Sequence, residues 1–214
     1  VTTLGKGCYS LVKMRNILSL WAKTDKTDPK NESRYHPLLY HMLDVAAVAS
    51  AAWRSVVPCR IKSRVENTLG GCCQTSLIAF LAGAHDIGKA CPGFQKRVEE
   101  LGQATGLPFS ENDQCRPHGF VSAYAIKEFL GECPAATLFG QIVGGHHGVF
   151  PRSSELCMGA DVLGNNDWKA AREKILNHLA RIVGLDVNEA KNAIPQITDP
   201  FLVPVLAGFV SIVD

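Results

Sequence analysis

Apolar residues recur at a spacing of three to four positions along most of the chain, which is typical of helices that pack by one face. Segments that alternate apolar and polar residues, as exposed strands do, are scarce. The pattern predicts helices over Pro37–Val57, Gln74–Ala84, Phe94–Ala104, Phe120–Leu130, Ala136–Val143, Asp167–Val183 and Phe201–Asp214. The predicted fold class is therefore all-α, an irregular helical bundle of about seven or more helices.

Polar segments that contain proline or glycine separate these helices. They predict loops over residues 25–34, Gly106–Pro117 and Val149–Asn166. We find no internal repeat and no linker long enough to divide the chain, and 214 residues suffice for one domain with a substantial core. Residues 1–214 are thus predicted to form a single domain. The chain begins without Met and stops at Asp214 within an apolar helical pattern, so we expect it to be part of a longer protein.

Composition and charge limit the partners and the cellular location that we expect for this domain. The net charge is only +2, which argues against a broad basic surface. A nucleic-acid partner would then have to be held by metal ions and a local groove, or by another domain. The longest apolar run, Phe201–Val210, is too short to span a bilayer and contains Pro204, and no signal peptide is visible. We expect a cytoplasmic protein without a membrane partner.

The eight cysteines do not form a metal-binding or disulfide pattern. None belongs to a CxxC motif, and Cys72 and Cys73 are too close for an ordinary bridge. We expect most of them to be buried thiols in a reducing cytoplasm.

Candidate chemistry concentrates in the histidines, of which the chain has seven. In LAGAHDIGKACPGFQ (81–95), His85 and Asp86 directly follow an apolar run, and Lys89 comes after one glycine. Adjacent residues in a helix diverge by about 100° around its axis, so such a doublet serves one small site only where a helix ends. His146 and His147 form a second doublet, between glycines.

Two further histidines occupy unusual positions. His41 lies within an apolar helix, with Asp44 three residues later, and His118 follows Pro117 at the start of another helix. Taken alone, a histidine such as His41 is more often a hydrogen-bonded core residue than a ligand. His36 and His178 are predicted to have no role in a metal site.

The five remaining histidines and Asp86 are the ligand types that divalent transition metals prefer, and Mn, Fe, Co, Ni and Zn all accept them. They are too many for one ion, which takes three or four protein ligands. They suit two ions about 3.5–4 Å apart, bridged by a carboxylate, as in enzymes that hydrolyse phosphodiesters. Lys89 is then placed to meet a phosphate oxygen.

These motifs resemble the HD superfamily of metal-dependent phosphohydrolases and, more narrowly, the HD nuclease domain of the type I CRISPR-associated nuclease-helicase. The resemblance rests on Ala22-Lys23 and on HPLLYHMLDVAAVA (36–49), GAHDIGKACPGFQ (83–95), PHGFVSAY (117–124), GGHHGVFP (144–151) and LAGFVSIVD (206–214). These pieces occur in the family's order and span nearly the whole chain.

The resemblance implies a ligand set for each metal. One ion would be bound by His41, His85, Asp86 and Asp214. Asp86 would bridge to a second ion, bound by His118, His146 and His147. Asp86 and Lys89 would be the catalytic residues, with Lys89 beside the two ions.

The resemblance also implies an activity and partners. The reaction would be cleavage of single-stranded DNA. A helicase domain of the same protein would feed the strand into the site, and an RNA-guided CRISPR surveillance complex would recruit the whole protein, which we expect to be a monomer.

Two other functions compete with the nuclease. One is a small-molecule phosphohydrolase, acting for example on nucleotides or cyclic dinucleotides, and the cyclic-dinucleotide enzymes of the HD superfamily also carry HDIGK and a later HH. Those enzymes have GYP after the HH, whereas this chain reads HHGVFPRSS (146–154), and the PGFQ after HDIGKAC also favours the nuclease. A degenerate HD fold that only binds a partner is the third possibility, and the presence of every expected ligand argues against it.

Overall fold

The computed structural model describes residues 17–24, 35–69, 75–192 and 201–214. Helices dominate, as predicted, and the fold is an HD-type helical domain. The helices are α1 (Leu38–Ser55), α2 (Cys59–Thr68), α3 (Thr75–Gly83), α4 (Pro92–Gln95), α5 (Glu99–Ala104), α6 (His118–Leu130), α7 (Pro134–Gly144), α8 (Ala160–Leu163), α9 (Asn166–Val183), α10 (Val187–Asn192) and α11 (Leu202–Val213). Two 3₁₀ helices, Ala84–Lys89 and Ser153–Leu156, and two strands, β1 (Trp21–Thr24) and β2 (Tyr35–Pro37), complete the described elements.

Six predicted helices are confirmed with no end moved by more than two residues, as α1, α3, α6, α7, α9 and α11. Gln74, the predicted start of α3, lies outside the described residues. The single helix predicted over Phe94–Ala104 is wrong: α4 and α5 are separate helices. Val98 precedes α5 with an extended backbone, which interrupts the helical path, and Glu99 and Glu100 begin a new first turn.

The predicted loops have three outcomes. Gly106–Pro117 is confirmed as free of helix and strand, and 25–34 lies outside the described residues. Val149–Asn166 is wrong in part, because it contains the 3₁₀ helix Ser153–Leu156 and α8. Helices this short bury too few residues to produce a visible apolar period.

The strands β1 and β2 pair antiparallel, with Trp21 opposite Pro37 and Lys23 opposite His36. With four and three residues, they are too short for strand alternation to show in the sequence. The buried side chain of Gln95 ties β1 to the rest of the domain. Its Oε1 accepts a hydrogen bond from the Trp21 amide at 3.2 Å, and its Nε2 donates to the Trp21 carbonyl at 2.9 Å.

The centre of the domain is α3, whose residues from Leu77 to Gly83 are all buried. A helix that is apolar on every side must be surrounded by other elements, and α3 packs against α1, α7, α9 and α11. The 3₁₀ helix Ala84–Lys89 continues directly from α3. The HD doublet is therefore delivered into the interior of the protein, where water does not compete for its polar atoms.

The cysteine side chains are more exposed than the sequence analysis predicted. Among the described cysteines only one is buried, so the prediction of mostly buried thiols is wrong: Cys91 is buried, Cys133 is half-buried, and Cys59, Cys115 and Cys157 are exposed. Cys8, Cys72 and Cys73 lie outside the described residues. The number of cysteines says nothing about which side of a helix each one occupies, so it could not predict which thiols are buried.

Within the described ranges, no single helix combines the length and the apolar character needed to cross a bilayer. The α1 and α2 helices meet that test only as a pair, bent by 113° at the break between them.

One close contact holds the 3₁₀ helix against α6. The Gly88 amide donates to Ser122 Oγ at 2.8 Å. A Cβ atom on Gly88 would lie 2.0 Å from the His118 carbonyl oxygen and 2.5 Å from the Ser122 amide nitrogen. These are backbone atoms that no side-chain rotation can move, so α6 can approach this closely only because residue 88 is glycine.

We predict that Gly88→Ala lowers the free energy of unfolding by about 1–3 kcal/mol, because α6 must move away to accept the methyl group. Gly208→Ala in α11 is the matched control. Its added Cβ would meet no atom within 4 Å, and replacing a helical glycine with alanine should stabilise by up to about 1 kcal/mol. Urea denaturation of both variants measures the difference. Equal effects of the two substitutions would contradict the packing argument.

Candidate metal centre

The 3₁₀ helix Ala84–Lys89 determines where the side chains of the HDIGK motif lie. A 3₁₀ helix has three residues per turn, so residues three apart share one side. Lys89 Nζ accordingly lies 2.6 Å from Asp86 Oδ2. His85 and Asp86 are 0% and 2% exposed, so their polar atoms face other protein groups.

A first group of ligand atoms surrounds one oxygen of Asp86. His41 Nε2 lies 3.1 Å from Asp86 Oδ2, and His85 Nε2 lies 3.4 Å from the same oxygen. Asp214, which follows α11, places its Oδ1 at 3.2 Å from His41 Nε2 and 3.5 Å from His85 Nε2. Helix α1, the 3₁₀ helix and the end of α11 thus converge on one small volume.

The second group consists of three imidazoles. His147 Nε2 lies 3.0 Å from His118 Nε2, and His146 Nε2 lies 3.4 Å from that same atom. His118 begins α6, while His146 and His147 occupy the turn after α7. Gly148, with φ of +78°, reverses the backbone directly after the doublet. This turn lets both imidazoles point the same way, as a helix interior would not.

Asp86 connects the two groups. While its Oδ2 faces His41 and His85, its Oδ1 lies 3.1 Å from His118 Nε2. The two oxygens of one carboxylate therefore face different sets of imidazoles.

Backbone contacts fix the orientation of two ligand candidates. His85 Nδ1 lies 2.8 Å from the Ala82 carbonyl, and His146 Nδ1 lies 2.7 Å from the Val143 carbonyl. A carbonyl can only accept, so each Nδ1 carries the proton and donates it. In the neutral ring, Nε2 then offers its lone pair towards the centre of the site.

The pKa values of three residues in the first group are strongly shifted by their neighbours. Burial alone would lower the pKa of His85, but the adjacent carboxylates of Asp214 and Asp86 outweigh it and raise that pKa to about 9. Burial would raise the pKa of Asp86, yet contacts with His118, His41 and His85 hold it well below its usual range. Contact with His85 lowers the pKa of Asp214. The carboxylates stay ionised and favour a positive charge between them.

In the second group, by contrast, the surroundings lower the pKa values of two imidazoles. Burial and the nearby His85 lower the pKa of His146 to about 4. Burial and the nearby His118 lower the pKa of His147. Neutral imidazoles are the form that binds metal ions.

The donor set fits divalent transition metals. Across the described residues, two sets of ligand atoms each lie within 4.8 Å of one another: His41, His85 and Asp86, and His118, His146 and His147. The buried Nε2 atoms of His41 and His85 find no hydrogen bond of good geometry in the described part of the chain. Buried ring nitrogens and carboxylate oxygens that converge in this way are stabilised by a cation.

All residues predicted for the site lie together: His41, His85, Asp86, Lys89, His118, His146, His147 and Asp214. Asp44, one turn from His41, pairs with His36, with 3.0 Å between Oδ2 and Nε2. His178 bonds to the Lys174 carbonyl within its own helix.

Three contributors were missed by the sequence reasoning. Gln95 also donates to the Lys89 carbonyl at 2.9 Å, which holds the end of the 3₁₀ helix. Ser211 donates to the His146 carbonyl and so links α11 to the HH turn. Lys23 Nζ lies 3.3 Å from Asp214 Oδ1. The segments that contain them, PGFQ (92–95), SIVD (211–214) and Ala22-Lys23, show no sequence pattern that predicts these contacts.

Comparisons with known proteins agree with this geometry. The CRISPR-associated endonuclease/helicase Cas3 of Thermus thermophilus is 35% identical over 178 residues, which is 78% of this chain and 18% of that protein. The crystal structure of the Thermus thermophilus Cas3 HD domain in the presence of Ni²⁺ has a TM-score of 0.61 and 28% identity, and covers 92% of this chain and 74% of that one. A solved CRISPR-associated protein has a TM-score of 0.78 and 33% identity, and covers 95% of this chain and 23% of that one.

The chain spans 18% and 24% of the length of two curated Cas3 relatives that it matches, from Thermus thermophilus and Streptococcus thermophilus. The sequence profile of the family described as "Cas3, HD domain" matches residues 21–214, which includes every predicted site residue. The chain belongs to the Cas3 HD domain family.

Proposed function

We propose that this chain is a metal-dependent nuclease domain that hydrolyses the phosphodiester bonds of single-stranded DNA. The observation that carries the proposal is the placement of Asp86, whose two oxygens face two separate groups of imidazoles. A carboxylate in that position suits the bridge of a two-metal phosphodiester hydrolase. The name of the Thermus relative, an endonuclease/helicase, supports the same reaction class.

The first ion would be held by His41, His85, Asp86 and Asp214, and the second by Asp86, His118, His146 and His147. Mn, Fe, Co, Ni and Zn all suit these ligands, and the Thermus HD domain was solved in the presence of Ni²⁺. Two such ions supply a water of lowered pKa as nucleophile and a positive charge for the leaving oxygen.

The residues of the chain hold this arrangement in place. Lys89, only 8% exposed, fixes one oxygen of Asp86 through the 2.6 Å contact. Its ammonium also donates to the Ala22 carbonyl at 3.2 Å. We assign Lys89 first to positioning Asp86, and its contact with a substrate phosphate stays a prediction. The Ala82 and Val143 carbonyls orient His85 and His146 so that their Nε2 atoms face the site.

We further propose that residues 1–214 form one domain of a longer nuclease-helicase. A helicase domain of the same protein would deliver the strand, and an RNA-guided CRISPR surveillance complex would recruit the protein to its target. The net charge of +2 supports this division, because strand binding along a length of DNA needs more positive charge than this domain carries. We expect a monomer in a reducing cytoplasm, where exposed thiols such as Cys59 and Cys157 stay unpaired.

We expect the chain to cut circular single-stranded DNA when Mn²⁺ or Ni²⁺ is added, and not when EDTA is present. Asp86→Asn should lower the rate by more than the 10–100-fold that is typical for loss of an outer-shell partner, because it removes the shared charge. Asp44→Asn is the matched control, since the Asp44 side chain is 70% exposed and pairs with His36, which is not a proposed ligand. Gel analysis of strand length over time measures the rates, and circular dichroism verifies folding.

Equal rates for Asp86→Asn and wild type would contradict the proposed site. A folded, metal-loaded protein that leaves DNA intact but hydrolyses a cyclic dinucleotide would contradict the proposed substrate.

A second prediction concerns metal content. Wild type should bind two Ni²⁺ ions per chain, and His41→Ala and His147→Ala should each weaken a different site by more than about 10–100-fold. His178→Ala is the control, because this imidazole bonds within its own helix. Isothermal titration calorimetry measures the number and affinity of the sites. Loss of both ions in His147→Ala, or of neither, would contradict the assignment of separate ligand groups.

A further inference from the structure

Two lysines contact carboxylates of the metal centre, and they differ in exposure. The side chain of Lys89 is 10% exposed and its ammonium is held between Asp86 and the Ala22 carbonyl. The side chain of Lys23 is 54% exposed and reaches Asp214 Oδ1 at 3.3 Å from the solvent side. Lys89 is therefore enclosed by protein, whereas Lys23 stands at the mouth of the site.

The backbone that carries Lys23 is anchored, although its side chain is open to solvent. Gln95 bonds to both the amide and the carbonyl of Trp21, and the Trp21 indole Nε1 donates to the Gln95 carbonyl at 3.3 Å. The adjacent Ala22 carbonyl accepts from Lys89. Lys23 itself pairs across the sheet with His36, whose ring centroid is 6.0 Å from that of His41. The strand thus fixes Lys23 beside the first group of ligand atoms.

We propose that Lys23 binds a backbone phosphate of the single strand at the mouth of the metal centre. The inference rests on the proposed nuclease function and adds a substrate contact to it. An exposed ion pair such as Lys23–Asp214 contributes little to stability in water, so the ammonium can exchange the carboxylate for a phosphate at small cost. Lysine suits this contact, because its ammonium is a mobile point charge that needs no fixed partner geometry.

A different role for Lys23 makes the opposite prediction. If Lys23 served to orient Asp214 as a ligand, its removal would weaken metal binding and leave the electrostatic part of DNA binding unchanged. If Lys23 binds phosphate, Lys23→Ala removes a positive charge beside Asp214 that repels a metal ion. Metal affinity should then be unchanged or tighter, while binding of the strand weakens.

The test compares wild type, Lys23→Ala and Lys23→Arg, with Lys169→Ala as matched control. Lys169 is similarly exposed, at 45%, and pairs with a carboxylate, that of Glu128, at 3.1 Å. Calorimetry measures Ni²⁺ affinity without DNA. Fluorescence anisotropy with Ni²⁺ measures binding of a phosphorothioate-linked oligothymidine of about 12 nucleotides, which spans a typical single-strand site and resists cutting. The titration is repeated over a series of KCl concentrations.

We expect Lys23→Ala to bind the strand several-fold more weakly at low salt and to reduce the slope of log affinity against log salt by about 0.7, the value for one phosphate contact on a single strand. Lys23→Arg should keep the slope, and Lys169→Ala should match wild type. A Lys23→Ala variant with wild-type slope, or with weakened Ni²⁺ binding and unchanged strand binding, would overturn the inference while the nuclease assignment stands. Failure of wild type itself to bind the strand would overturn both.

Discussion

The arrangement of the domain depends on one buried negative charge. Asp86 is 2% exposed, and an ionised carboxylate in the interior is costly unless cations and hydrogen-bond donors surround it. Lys89 lies against one of its oxygens, and imidazoles approach both. The same charge that requires these partners makes the centre attractive to divalent cations, so the site's stability and its proposed chemistry have a common electrostatic origin.

Most ligand candidates of this centre lie at helix ends, and His41, on the buried face of α1, is the exception. His118 lies at the start of α6, the HH doublet follows α7, and Asp214 follows α11. At a helix end the backbone can change direction, which lets adjacent residues face one point. Contacts beside the ligands keep the ends in register: Ser211 donates to the His146 carbonyl, and Arg172 Nη1 in α9 donates to the Ala90 carbonyl at 3.0 Å, just beyond Lys89.

The helical fold was predictable wherever a helix is long enough to show an apolar period, as in α1 and α9. It was not predictable for α8 or for the strands, whose three or four residues carry no period. The break between α4 and α5 also escaped prediction, because the amphipathic pattern continues through Val98 although its backbone is extended. The prediction that most cysteines are buried was wrong for a related reason, because burial depends on which face each helix presents to its neighbours.

The sequence by itself determined the ligand types and their grouping into motifs, because a doublet at a helix end and an HH between glycines depend on local backbone geometry. Only the tertiary structure decided which lysine is enclosed and which is open to solvent. Lys89 and Lys23 differ in their distant partners, Asp86 with the Ala22 carbonyl in one case and Asp214 in the other. Lys23 and Asp214 are separated by nearly the whole chain, and they meet because β1 packs against the 3₁₀ helix while α11 packs against α7 and α1.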